Sequence, residues 1–152
     1  MKQESGGYLM KKLVSLFLTL ILLFTLTSCT KENAEEDNTP IVNPVNLSME
    51  IAIGLEDAQE DGFENIGPKD FIAEEGSTVL EATQLYCMAN NISISLDKDM
   101  GYITEINGLT EKDYTEMTGW VFTVNGEMPS VGADQLEIQE GDQIRWEFLS
   151  FS

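Results

Sequence analysis

Histidine is absent from this 152-residue chain, and that absence removes two kinds of chemistry at once. Without imidazole the commonest general base near neutral pH is missing, and so is the commonest transition-metal ligand. Serine–histidine and cysteine–histidine nucleophiles and ordinary zinc sites are excluded. Cysteine is nearly as scarce, with only Cys29 and Cys87. If lipid takes Cys29, as argued below, Cys87 has no partner for an intrachain disulfide, and packing must hold the fold. Positive charge is the third shortage: 8 Lys and Arg stand against 27 Asp and Glu, a formal net charge of −19. A field of that sign repels nucleic acid and anionic lipid surfaces. It suits neutral ligands, cationic groups and proteins with basic faces.

What is present begins with MKKLVSLFLTLILLFTLTSC, Met10 to Cys29. Lys11 and Lys12 precede an apolar run from Leu13 to Leu26, whose 14 residues fall short of the ~20 that cross a hydrocarbon core as a helix. The pattern predicts a secretion signal over residues 1–28 rather than a transmembrane span. It starts at Met10, so Met10 stands beside Met1 as a possible start. Leu26-Thr27-Ser28-Cys29 resembles the lipobox of bacterial lipoproteins: a branched apolar residue, two small residues, then the cysteine that receives lipid. The resemblance implies cleavage between Ser28 and Cys29, palmitate-type acylation of Cys29, and a place on the outer face of the bacterial plasma membrane. One buried acyl chain holds a protein only marginally, at about 0.8 kcal/mol per buried methylene, whereas two or more anchor it stably. After residue 28 there remain 124 residues with five basic and 26 acidic side chains, a formal charge of −21. That length suits one compact domain and not two.

Residues 29–46 are polar and acidic, carry Pro40 and Pro44 and show no periodic apolar face, so they are expected to form a flexible tether. The folded domain is expected over residues 47–152. Leu47, Met49, Ile51 and Ile53 alternate with Ser48, Glu50 and Ala52, the period of a strand buried on one face. Leu55 to Asp70 reads as an acidic loop and Phe71 to Ala73 as a short second strand. Thr78 stands three residues before Glu81 in a capping-box pattern. Val79, Leu80, Ala82, Leu85, Tyr86, Met88 and Ala89 form an apolar stripe behind it, predicting a helix from Val79 to about Ala89 that ends at Asn90-Asn91. Ile92 to Leu96, Tyr102 to Ile106, Trp120 to Val124, Leu136 to Ile138 and Ile144 to Leu149 are expected as strands. Asp97 to Gly101, Asn107-Gly108, Asn125-Gly126 and Glu140 to Asp142 carry turn chemistry, and Leu109 to Thr118 reads as a loop. One helix among about six short strands is an α+β domain, a mostly antiparallel sheet packed by one face on a single helix.

Four segments in this order and spacing, GSTVLEA (Gly76 to Ala82), YITEINGL (Tyr102 to Leu109), GWVFTVNGE (Gly119 to Glu127) and EGDQIRWEF (Glu140 to Phe148), resemble the DUF4430 family. These domains are similar to the C-terminal domain of transcobalamin and intrinsic factor, and the resemblance covers nearly all of Leu47 to Phe148. It implies a transcobalamin C-terminal-like, β-grasp-like fold. In the vertebrate carriers the domain closes over cobalamin against a large helical domain; the bacterial members look like modules of surface-anchored or lipid-anchored proteins. No counterpart of that helical domain is read in these residues. A corrinoid or similar molecule would therefore be bound as a ligand and not a cofactor, at a site shared with another protein or a second copy.

Trp120 and Trp146 can offer flat apolar platforms, and with Phe122, Asn125 and Gly126 they form the candidate ligand-binding set, on the Trp120 to Met128 hairpin and the last strand. Each also has a plain structural role: core or rim for the tryptophans, turn chemistry for Asn125 and Gly126. Asp97-Lys98-Asp99-Met100-Gly101 is part of a calcium-loop pattern without the third oxygen ligand or the terminal glutamate, and reads as a hairpin turn. Asp57, Glu60, Asp61 and Glu64 read as solvated charge that could collect a divalent cation only weakly. No metal site and no resident cofactor are expected. Cys87, between Tyr86 and Met88 on the helix, reads as a small hydrophobe. No catalytic constellation stands out, so the chain is read as a binding module and not an enzyme. The alternative is a cell-surface module that contacts a protein or a glycan and takes no small ligand.

Overall fold

The alternation from Leu47 to Ile53 produces a strand whose inward side chains, Leu47, Met49, Ile51 and Ile53, are all buried. This is seen in a computed structural model that describes residues 42–97 and 101–151. They fall within one unit, Pro40–Ser152. The leader, Cys29, most of the expected tether and Lys98 to Met100 lie outside the described residues.

The elements follow in the order β1 (Pro44–Ile53), α1 (Glu56–Glu60), β2 (Ile66–Glu74), α2 (Val79–Ala89), β3 (Ile94–Asp97), β4 (Tyr102–Ile106), β5 (Leu109–Thr110), β6 (Thr118–Val124) and β7 (Gln143–Ser150). A four-stranded sheet has the order β2-β1-β7-β6, and a three-stranded sheet the order β3-β4-β5. All strand pairs are antiparallel save β1 with β7, which run parallel with Met49 beside Ile144 and Ile51 beside Trp146. The α+β class holds.

Helix α2 forms where the sequence places its signals. Thr78 accepts from the Glu81 amide and the Glu81 carboxylate accepts from the Thr78 amide, so both halves of the capping box are made. Asn91, at φ 55°, ends it in the left-handed region. Its buried face, Val79, Ala82, Thr83, Tyr86 and Cys87, packs on the inner face of the larger sheet, with the Tyr86 and Phe71 rings edge-on at 5.2 Å. Ile103 and Ile106 of β4 join the same core. Burying each such side chain stabilises by about 1.5–3 kcal/mol. A smaller cluster of Ile53, Ala58, Leu109 and Phe148 lies beneath α1.

Four expectations are corrected. The first strand starts at Pro44, not Leu47: Val45 is buried and pairs with Ala73, and proline is tolerated because it stands first in the strand. The stretch from Leu55 to Asp70 is not all loop, since it holds α1 and half of β2, so the domain has two helices rather than one. Leu109–Thr110 pairs with β4 instead of looping out. Leu136 to Ile138 forms no full strand: a single bridge joins Glu137 to Thr78, because these residues serve the start of α2.

Candidate functional site

On β6 the side chains of Trp120 and Phe122 point to the same sheet face as Trp146 and Phe148, their partners across the β6–β7 ladder. Helix α2 covers the β1 and β7 part of that face, while the aromatic part on β6 lies opposite Tyr102 and Ile103 of β4. The third wall is the segment from Met128 to Asp134. It is pinned to the start of α2, where the Leu80 amide donates to the Ala133 carbonyl at 2.9 Å and the Val79 amide to that of Leu136 at 2.8 Å. The result is a cleft of about 270 Å³ lined chiefly by aromatic and aliphatic side chains.

Its rings are held in place. The Trp120 indole donates to the Leu109 carbonyl at 3.0 Å, and the Trp146 indole to the Thr83 hydroxyl at 2.9 Å. Phe122 lies over Trp146 with centroids 5.1 Å apart and planes tilted 34°, and Trp120 meets Phe148 edge-on at 5.2 Å. Trp146 is buried, with only 3% exposure, so it forms the floor, while Trp120 and Phe122 are half-buried and form the wall. Desolvation, then the charges of Glu111 and Asp97, raises the Tyr102 phenol above its ordinary value, so it stays protonated and reaches Glu111 with a long hydrogen bond of 3.4 Å. Asp134 closes one end, next to Gly101. Gly101 has φ 68°, and a Cβ there would meet the Asp134 carboxylate at 3.1 Å, so the close approach needs glycine.

Of the five candidate ligand-binding residues, the structure gathers Trp120, Phe122 and Trp146 into this cleft. Asn125 and Gly126 are not on it. They form the tight turn after β6 with φ 55° and 81°, and Asn125 donates to Asp142 at 2.8 Å and accepts from the Gln143 amide at 2.9 Å. Their geometry is that of a turn, as the plainer reading of those residue types has it. The sequence offered little sign of Tyr102 or Asp134, because the fold alone brings them to the rim, whereas Met128 ends the Trp120 to Met128 hairpin already singled out.

The other candidates stand apart. Among the described residues no group of three or more acidic or cysteine side chains could hold a metal ion. Asp61 instead accepts from the Tyr114 hydroxyl at 2.7 Å. Burial, aided by the charge of Glu105, pushes the Cys87 thiol up to about 11, the opposite of what a nucleophile needs. On the outer face of the large sheet Arg145 bridges Glu50 at 2.7 Å and Glu147 at 3.2 Å, an exposed arrangement of small energetic weight.

Residues 76–150 match the family described as Domain of unknown function (DUF4430). Among solved structures, the crystal structure of haptocorrin in complex with Cbi superposes with a TM-score of 0.58 and 19% sequence identity, over 76% of this chain and 27% of that chain. The chain thus spans about a quarter of haptocorrin's length, and the likeness is one of fold. A candidate metal-binding protein from Ruminococcus gnavus ATCC 29149 superposes with a TM-score of 0.47 and 17% identity, over 71% of this chain and 99% of that chain. No curated protein matches the sequence.

Proposed function

Since residues 76–150 match the DUF4430 family and the fold recurs in part of haptocorrin, we propose that this chain is a lipid-anchored extracytoplasmic binding module whose aromatic cleft supplies one wall of a ligand site. The observation that carries the reading is the assembly of Trp120, Phe122 and Trp146 into one cleft with fixed ring planes. Rigid aromatic faces bind flat ligands at little cost in side-chain entropy. A corrinoid or a molecule of similar shape is the ligand proposed.

The cleft, at about 270 Å³, lies below the ~300–1,000 Å³ of sites that enclose a drug-sized molecule. A macrocycle resting there keeps most of its surface exposed, so the reading includes a second polypeptide, or a second copy, to cover it. Cys29 would hold the module on the outer face of the plasma membrane, with the acidic segment after it as spacer. Support for that part comes from the basic, then apolar, then Leu-Thr-Ser-Cys leader. Binding without catalysis fits a lining that is apolar save for Tyr102, Asp134 and backbone groups.

Both tryptophans of the chain line the cleft, so intrinsic fluorescence reports on it directly. Titrating the detergent-solubilised full chain with cobinamide and with cobalamin should give saturable quenching that Phe122→Ala weakens. No quenching up to high micromolar ligand removes direct corrinoid binding by this chain alone and leaves the protein- or glycan-contact reading.

A further inference from the structure

We propose that the cleft selects a ligand bearing a positively charged organic group, an alkylated or quaternary ammonium, seated against Trp120 and Phe122 and countered by the carboxylate of Asp134. The inference deepens the binding reading and depends on it only for the place of the site.

Among the described residues, each side-chain donor at the cleft is already directed to a partner: the Trp120 indole to Leu109, the Trp146 indole to Thr83, the Tyr102 hydroxyl to Glu111. The described lining therefore offers an occupant aromatic rings whose N–H and O–H groups are already engaged. The one charged group among the described lining residues, Asp134, has no hydrogen bond or ion pair among the described residues and is exposed at the rim. None of the described basic side chains lines the cleft. Arg145 is held by Glu50 and Glu147 on the other sheet face, and Lys69 donates to Asn90.

Among the described residues, an anion, or a ligand rich in acceptors, finds no side-chain partner in such a place. An ammonium finds both a ring face, which carries negative quadrupolar charge, and a free carboxylate. The wider field has the same sign, since Glu111 and Asp97 act on the Tyr102 phenol and the chain carries −19 overall. An uncharged group of equal shape gains the apolar contact and none of the electrostatic attraction.

Choline and 3,3-dimethylbutan-1-ol have the same shape and differ in charge, so they separate the two contributions. They are to be titrated against the full chain in detergent at fixed ionic strength, following the two tryptophan indole N–H resonances. Choline is expected to bind at least about fivefold more tightly than the neutral isostere. Asp134→Asn, an exposed substitution that leaves the thermal midpoint unchanged, should reduce the preference to less than about twofold, whereas Glu56→Gln, a surface charge removed from α1, should leave it intact. Equal binding of the two probes, or a preference that survives Asp134→Asn, overturns the inference. Cobinamide bound without any preference for choline sinks the cation and spares the binding reading. Preference for choline with no cobinamide binding does the reverse.

Discussion

The indole of Trp146 on the central strand β7 donates to the hydroxyl of Thr83 on helix α2 at 2.9 Å, across 63 residues of sequence. The same hydroxyl donates to the Val79 carbonyl at 2.7 Å, so a relay buried on all sides ties sheet, helix and cleft floor together. Thr83→Val keeps the shape but strands a buried N–H. It is expected to lower unfolding free energy by about 1–3 kcal/mol, with Thr83→Ser much milder. Urea unfolding followed by tryptophan fluorescence decides, and equal stability of the valine variant would show that the bond contributes nothing.

The capping box at Thr78 is made in full, and the Met128 to Asp134 wall hangs on the first turn of the same helix. Thr78→Ala should cost about 1 kcal/mol. Because the wall is anchored there, the variant should also weaken any ligand of the cleft. Calorimetry together with the fluorescence titration measures both effects.

Asn125 and Gly126 separate turn from ligand. Asn125→Ala removes the bonds to Asp142 and Gln143 and puts a Cβ-only residue at φ 55°. A loss of about 1–2 kcal/mol in stability is expected, with cleft affinity unchanged. A change in affinity at constant stability would return these residues to the site.

Glu105 makes the small sheet acid-sensitive. Partial burial raises its carboxyl, but hydrogen bonds from Ser93, the Gly108 amide and Ser95 outweigh that and hold it below the ordinary 4.5. A carboxyl lowered in the folded state stabilises above its unfolded pKa, and that contribution is lost as pH falls through the folded one. Urea midpoints should fall from about pH 5 to about pH 3, and by less in Glu105→Gln.

With its thiol near 11, native Cys87 holds only about one thiolate in a thousand at pH 8. Iodoacetamide should leave the Cys87 peptide unmodified in the native protein and alkylate it in urea, as read by mass spectrometry. Native labelling at the unfolded rate would contradict the burial described.

Periodicity carried much of the fold. β1, α2, β4 and β7 were legible because each buries one face over several residues, so period-two or 3.6-residue patterns accumulate. The short α1 and β5 offered too few residues for a period to appear. The first half of β2, Gly67 to Asp70, is exposed on both faces of an edge strand and has no alternation to read. In the cleft, Trp120, Phe122 and Trp146 stood out as aromatic alternation on strands. Asp134 did not, because its place depends on the Leu80–Ala133 bond between distant segments.

The parallel pairing of β1 with β7 sets the first and last strands of the domain side by side at the centre of the sheet. Synthesis therefore cannot complete the core before β7 emerges, and a nonsense codon anywhere before Gln143 deletes the keystone of the sheet. The same geometry makes for high contact order and slow closure. A nascent chain of this kind stays threadable until β7, Gln143–Ser150, is translated.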